Sequence, residues 1–370
     1  MKRKLEIVLY PNTTSIIPDT DITNRVQNLS FSTHLHGGFH LCNFQLRADI
    51  PEAWEWITKK MFYRLVIRDI NKTIWEGRLQ DIGLTYGTVN ATAYGYYASL
   101  NDGEYYTAYN ANADVVIKAI LTAQSPDINS DQSNIAATGG PAVTSAASAS
   151  YLDRSPRELV ELLADFGDTS GNTWYFAIWE DRKPYFFSRS IASINWFIGL
   201  EGLTRFELKH QGGNLWNKVY AIYDVAGTLT RTADASDVTS QNKYGVTRYY
   251  TIPQLGTVAT ATAQAIRDTW LADHKDLWPS LEDIVLGDYV KDSNGVQYPS
   301  SWVRAGDVIC IQNLVPVSGD LTTPIRDALR TFYIMETQYN AERAENRLVL
   351  DTESQSLDAI VARIPKFSSA

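Results

Sequence analysis

The stretch from Tyr63 to Tyr97, YRLVIRDINKTIWEGRLQDIGLTYGTVNATAYGYY, constrains the fold more than any other part of the chain. Apolar residues alternate through Tyr63, Leu65, Ile67 and Ile70, resume after the polar turn Asn71-Lys72-Thr73 at Ile74, Trp75, Leu79 and Ile82, and continue past Gly87 through Val89, Ala91, Ala93 and Tyr94. Alternation with a period of two, broken by Asn, Asp and Gly, marks an antiparallel meander with one buried face. A helix-dominated fold is excluded for this region.

The flanking segments extend the pattern. Leu5 to Tyr10 reads as a first strand ended by Pro11-Asn12, and Val26 to Ser32 as a second. The next strand places Phe39, Leu41, Asn43 and Gln45 on one face, with His40, Cys42, Phe44 and Leu46 on the other. Gly37-Gly38 before it predicts a bend or bulge. Pro51 to Lys60 reads as a short helix or turn with Trp54 and Ile57 on one side. Six or seven strands in the first ~100 residues suffice for a small barrel or sandwich.

The period then changes. From the N-cap candidate Asn112, the residues Val115, Val116, Ala119, Ile120 and Ala123 fall at helical spacing, stopped by Ser125-Pro126. Residues 125 to 150 read as a long surface loop. Ser155-Pro156-Arg157-Glu158 predicts a helix start: Ser caps free N–H groups, Pro takes the first helical position and Glu reaches back to the cap. Leu159, Leu162, Leu163 and Phe166 form its buried stripe, and Gly167 ends it. Trp174 to Trp179 and Pro184 to Ser188 read as a hairpin. Strands resume at Thr204 to His210 and Asn217 to Val225; a helix with Ala259, Ala263, Ile266 and Trp270 on one face lies between Pro253 and Pro279. Trp302 to Asp351 is a final β block, and Ser356 to Arg363 a last helix or tail. His36-Gly37-Gly38 is echoed by His210-Gln211-Gly212-Gly213, a hint of duplication.

Composition bounds the function. Of 370 residues 44% are hydrophobic and 12% aromatic against 20% charged, as in globular chains. The net charge of −9 argues against a general nucleic-acid binder, whose affinity comes from Lys and Arg on phosphates. It suits a surface that nucleic acid passes without sticking. Cys42 and Cys310 read as buried free thiols, which points to folding in a reducing compartment. No apolar run reaches the ~20 residues of a membrane helix and the N-terminus turns polar too early for a signal peptide, so synthesis and folding in the cytoplasm are expected.

Candidate chemical sites are weak. His34 and His36 share a strand face and, with His40, have the donors for zinc, but the Gly pair breaks the strand geometry and no further ligand follows at the right spacing. Strand histidines at a subunit surface are the preferred reading. Cys42 with one of these histidines could imitate a thiol nucleophile and base, but spacing alone is no evidence, since such a pair must be adjacent in space and held by a third group. The pairs Asp165 with Asp168 and Glu282 with Asp283 sit at helix ends or loops, whereas a glycosidase needs two carboxyls across a cleft. Gly37-Gly38, Gly139-Gly140 and Gly212-Gly213 lack the Lys-Ser/Thr of a phosphate loop. Arg304 to Asp307 reads as a turn feeding the strand Val308 to Ile311. No catalytic, cofactor-binding or metal-binding residue is expected.

Several phrases in collinear order resemble the hub proteins of bacteriophage tail tips and baseplates, a family that includes the base of the type VI secretion spike. They are His36 to Phe39 before an alternating strand, Ile74-Trp75-Glu76-Gly77-Arg78 followed by Ala93-Tyr94-Gly95-Tyr96, the capped helix at 155 to 166 with its aromatic hairpin, Val303 to Ile309, and the closing Arg347 to Leu350 hairpin. The resemblance implies a β-rich, multidomain α+β fold with two tube-type antiparallel β-barrels. Residues 1–105 would be the first barrel, 106–200 an inserted α+β domain, 201–255 and 300–370 the two parts of the second barrel, and 256–299 a helical insertion. It further implies a homotrimeric ring in the virion tail tip, between a sixfold tail tube or distal tail protein and a threefold spike or fibre, lining the channel for DNA. Any enzymatic or receptor-binding part would reside in another protein. The alternatives are a hexameric distal tail ring and, given ten Trp, a glycan-binding or glycan-cleaving tail protein; barrel core and subunit interface are the preferred place for those Trp.

Overall fold

The computed structural model describes residues 5–351 apart from 13, 106, 108, 125–126, 139–142, 145–154, 167–173, 189–192, 211, 226, 254, 257–258, 278 and 315–330. In the first hundred residues lie β1 (Glu6–Tyr10), β2 (Thr20–Asp21), β3 (Val26–His34), β4 (Gly37–Arg47), helix α1 (Ile50–Lys59), β5 (Arg64–Asp69), β6 (Lys72–Thr85) and β7 (Thr88–Tyr94). They pair antiparallel in the order β2-β1-β5-β6-β7-β4-β3. Both turns of the β5-β6-β7 meander have two residues, Ile70-Asn71 and Tyr86-Gly87, all with positive φ, the geometry whose twist matches that of the strands. The first turn comes earlier than the alternation predicts. Lys72 and Thr73 already pair with Asp69 and Arg68, so Ile70 is at the tip and 70% exposed rather than inside.

Strand β4 departs from strict alternation for a traceable reason. Thr33 pairs with Phe39 and Phe31 with Cys42, so His40 and Leu41 together oppose Ser32. This bulge shifts the phase by one residue. Phe39 therefore joins Cys42, Phe44 and Leu46 in the core rather than Leu41, Asn43 and Gln45. The Ser32 hydroxyl accepts from the Leu41 N–H at 3.2 Å, which satisfies the displaced backbone. In α1, Asp49 caps the Glu52 N–H at 2.9 Å, and Ala53 and Trp56 are the buried residues, not Trp54 and Ile57.

The next stretch holds β8 (Asn110–Ala111), α2 (Ala113–Gln124), β9 (Val143–Thr144), α3 (Pro156–Phe166), β10 (Trp174–Ile178) and β11 (Pro184–Ser188). The capping box of α3 forms as expected: Glu158 N–H to Ser155 Oγ at 3.3 Å, and Ser155 N–H to Glu158 Oε2 at 3.2 Å. Gly167 lies outside the described residues. The helices bury Val116, Ile117, Ile120 and Leu121 of α2 and Leu159, Val160 and Leu163 of α3 against Trp174, Phe176 and Phe186. The α2 stripe is rotated from expectation, leaving Val115 50% exposed. Within the expected surface loop, Ile128, Ile135 and Thr138 are buried; Ile135 bridges to Phe186 and Thr138 bonds to Asp114 Oδ1.

The remaining elements are β12 (Trp196–Gly199), β13 (Leu203–His210), β14 (Lys218–Val225), β15 (Thr228–Arg231), β16 (Ala235–Ser236), α4 (Val238–Tyr244), β17 (Tyr249–Ile252), α5 (Thr260–His274), β18 (Pro279–Leu286), β19 (Tyr289–Lys291), β20 (Gln297–Pro299), β21 (Val308–Gln312), β22 (Thr331–Asn340) and β23 (Glu345–Leu350). β22 pairs with β3 on one side and β23 on the other, and β23 with β18. Among the described residues, seventeen strands join in one large curled sheet. The segment Ser356 to Arg363 lies outside the described residues.

The described parts of Met1–Gly167, Thr173–Phe206 and Asp283–Asp351 form one compact unit, and those of Glu207–Glu282 a second. In the second, β14 pairs antiparallel with β15 and β16 and parallel with β17. Val219, Ala221 and Ile252 of this sheet pack on Ile266 and Trp270 of α5. The fold is β-rich as expected, but not purely antiparallel: β4–β10 and β12–β21 are also parallel pairs.

The two Gly-Gly sites are not equivalent. Gly37 and Gly38 have φ of +113° and +85°, and a Cβ on Gly38 would stand 2.2 Å from the Ile178 carbonyl oxygen of β10. Gly212 and Gly213 form a 3-10 turn with open space around them. The echo in sequence is therefore not an echo in backbone geometry.

Candidate assembly surface

Strands β3, β4 and β7 send alternate residues inward to the core and outward to one polar face. On that face Ser30, Ser32 and His34 of β3 lie beside Asn43 and Gln45 of β4, and these beside Asn90 and Thr92 of β7. Directly opposed residues bond side chain to side chain: Thr92 to Asn43 and Gln45 to Asn90, both at 2.9 Å. Each such pair contributes roughly 0.2–1 kcal/mol. Asn90 also reaches Thr85 at 3.3 Å, and the Tyr94 hydroxyl donates to Asp81 at 3.1 Å. No lysine occurs on these three strands, and Arg47 at the end of β4 is their one arginine. The face is polar and almost uncharged, with much of its donor capacity used within the sheet.

Across β3 the face continues onto β22 and β23. Glu336 opposes His34, Gln338 opposes Ser32 and Asn340 opposes Ser30, with Arg347 beside Gln338 on β23. A shallow cavity of about 420 Å³ lies here, lined by Ser30, Gln338, Asn340 and Arg347 together with Thr204 and Arg205. The sequence reads Arg347 to Leu350 as part of a closing hairpin but does not place β22 beside β3, because alternation shows which residues share a face and not which strands are neighbours.

The histidines separate. His34 and His40 stack with ring centroids 3.9 Å apart, and His34 Nδ1 is 3.8 Å from Glu336. Burial, followed by the neighbouring His34, lowers the His40 pKa, which favours the neutral form of His40. Stacked rings do not aim nitrogens at a common ion, and no group of three metal-ligating side chains occurs among the described residues. His36 turns away: its Nε2 is 2.7 Å from the Tyr97 hydroxyl, which donates to Glu161 at 3.0 Å, while Arg157 holds Glu161 at 2.9 Å. This chain of bonds fastens the β3–β4 turn to α3.

The other candidates are also placed. Cys42 and Cys310 are both buried thiols, and burial pushes the Cys42 pKa far up, which suppresses its thiolate. Asp168 and the side chains of Asp165, Glu282 and Asp283 lie outside the described residues, as do Gly139 and Gly140. Arg304 to Asp307 is a turn as expected, held by Asp307, which accepts from the Arg304 N–H at 3.1 Å and from Trp196 Nε1 at 2.7 Å. Among the described tryptophans Trp54 alone is largely exposed, at 58%, so they form no exposed aromatic platform. Among the described residues no helix is long and apolar enough to cross a membrane.

Neither a family model nor a curated protein sequence matches the chain. Solved structures do. The 43 kDa tail protein of prophage MuSo2 from Shewanella oneidensis superposes with a TM-score of 0.56 at 10% identity, covering 98% of this chain and 99% of that one. The fold is that of phage tail proteins. A tail protein of Neisseria meningitidis MC58 matches at 0.56 and 11% identity over 97% and 99%, and prophage tail protein gp18 of Listeria monocytogenes at 0.52 and 12% over 98% of both. A chain of the Francisella PdpA–VgrG complex matches at 0.52 and 11%, covering 96% of this chain and 59% of its own length. The phage-tail fold thus extends over nearly the whole chain.

Proposed function

We propose that the protein is a structural hub of a phage tail tip: a homotrimeric ring that joins a sixfold tail tube to a threefold spike or fibre. The observation that carries this reading is the end-to-end likeness to the Shewanella tail protein, 98% of one chain against 99% of the other. In this reading residues 1–105 and the pair 201–255 with 300–370 act as two tube-type modules, with 106–200 and 256–299 inserted. Three chains then present six similar surfaces to a tube. The polar face of β3, β4 and β7 lines the channel. Its lack of lysine and its internally bonded amides suit the passage of DNA, since few cations are offered to phosphates. The protein is not an enzyme, uses no cofactor or metal, and resides in the virion tail. The likeness to a chain of the PdpA–VgrG complex supports a spike-type neighbour.

Native mass measurement of the purified chain, followed by imaging of the particle, tests this. Three chains per ring with a central pore lined by Asn43 and Asn90 is the expected result. Six chains per ring would favour a distal tail ring instead.

A further inference from the structure

Helix α1 buries Ala53 and Trp56 but leaves Ile50 and Trp54, one turn apart, 64% and 58% exposed. Exposed apolar side chains also lie on the segments held at both ends of the helix. At its start, Ala48 N–H bonds the Gly87 carbonyl at 3.2 Å and so holds the β6–β7 tip beside it. Leu84 and Tyr86 on that hairpin are 38% and 103% exposed. At its end, Lys60 bonds Asp19 at 2.7 Å and Arg64 reaches the Ser15 carbonyl at 3.4 Å, tying down the loop that carries Ile16 and Ile17, 86% and 73% exposed.

Six large apolar side chains are therefore strung along one helix and the two segments bonded to its ends. At ~200 Å² for a fully exposed large side chain, they present roughly 800 Å². Summed over the three segments, that is of the order of the ~800 Å² each partner gives to a standard interface.

We propose that this α1 stripe is one half of the contact between adjacent copies of this chain, with Trp54 as its central anchor. The proposal rests on the ring reading above and names the surface that would close the ring. In a cyclic trimer the contact is heterologous, so the stripe on one protomer meets a different surface on the next. The exposed area is of the order a ring interface needs, and a second copy is present at equal concentration.

The test is sedimentation velocity on the full chain across a dilution series, comparing wild type with Trp54→Glu, Trp54→Glu/Tyr86→Glu and Leu229→Glu. Leu229, 59% exposed in the second unit, is the control. A trimeric wild type is expected, with Trp54→Glu dissociating at concentrations at least ~30-fold higher, the double variant monomeric and Leu229→Glu unchanged. Near-UV circular dichroism and melting of the dissociated variants should equal those of wild-type monomer at high dilution. Variants that stay trimeric like wild type would overturn the proposal while leaving the ring reading intact. A wild type that is monomeric throughout overturns both. A Trp54→Glu monomer that melts well below wild-type monomer shows that the stripe is covered within its own chain, and also overturns it.

Discussion

Replacing Gly38 with alanine is expected to destabilise the protein by about 3–5 kcal/mol. The backbone at Gly38 has φ +85°, where an L side chain costs ~1–2 kcal/mol. The added Cβ would stand 2.2 Å from the Ile178 oxygen and 2.7 Å from its nitrogen, both backbone atoms that cannot swing aside. β10 must then move off β4, which weakens the parallel pairing at Ala177 with Gly37 and Ile178 with Gly38, at ~0.5–1.5 kcal/mol per hydrogen bond lost. The edge-on contact of Trp179 with Phe39, centroids 5.1 Å apart, loosens with it, worth a further ~0.5–1.5 kcal/mol. Gly37→Ala is the internal control. Its φ is also positive, at +113°, but the new Cβ meets a side chain, Tyr97 Cδ1 at 3.2 Å, and the expected cost is only ~1–2 kcal/mol. Urea unfolding of the two variants side by side should show midpoints differing by the equivalent of ~2–3 kcal/mol at equal slope, with faster amide exchange at Ile178 in Gly38→Ala alone. Equal midpoints, or unchanged protection of Ile178, would refute the claim that close approach of β10 is what requires a glycine here.

Trp75 is fully buried in the main core, so Trp75→Ala should cost ~3–5 kcal/mol in the same assay; a variant within ~1 kcal/mol of wild type would remove this strand from the centre of the core. Glu76 is fully buried, 3.0 Å from Arg64 and accepting the Asp181 N–H at 3.0 Å. Glu76→Ala removes the nearer carboxylate of Arg64, leaving Asp181 at 4.0 Å, and should cost ~3–5 kcal/mol. Burial raises the Glu76 pKa, so the neutral isostere in Glu76→Gln should cost clearly less, and equal losses would count against this account. Burial lowers the pKa of His36: its neutral form is favoured on folding, so its contribution is complete above the unfolded value of ~6.5 and lost as pH falls through the folded value. Melting temperature should therefore fall more steeply on acidification in wild type than in His36→Gln; parallel curves would show that His36 does not titrate on unfolding.

Local features were legible in the sequence wherever the chemistry is local. The α3 start could be read from Ser155 and Glu158 because a capping box closes within four residues. The meander could be read from its period, and the 174–188 hairpin from two aromatic runs around a polar turn. The errors also have local causes. The β4 faces were misassigned because the bulge opposite Ser32 costs one residue of phase and leaves no mark in composition. The spacing of three pairs Trp54 with Ile57 on one side of α1 but does not say which side is buried, and the buried tryptophan is Trp56. What could not be read was adjacency. The polar face needs β22 beside β3, and no periodicity within either strand says so.

That last pairing sets a timetable for synthesis. Thr33 meets Thr337 at 2.7 Å across 304 positions, and the same hydroxyl accepts from the Ala305 N–H. At ~5–20 residues per second, about 15–60 s pass between translation of one strand and arrival of its neighbour. Throughout that interval the outer edge of β3 is an open template with Phe31 behind it, able to pair with any extended chain nearby. Yield of native protein should thus depend on elongation rate and on chaperones that shield strand edges, more than on the stability of the finished sheet.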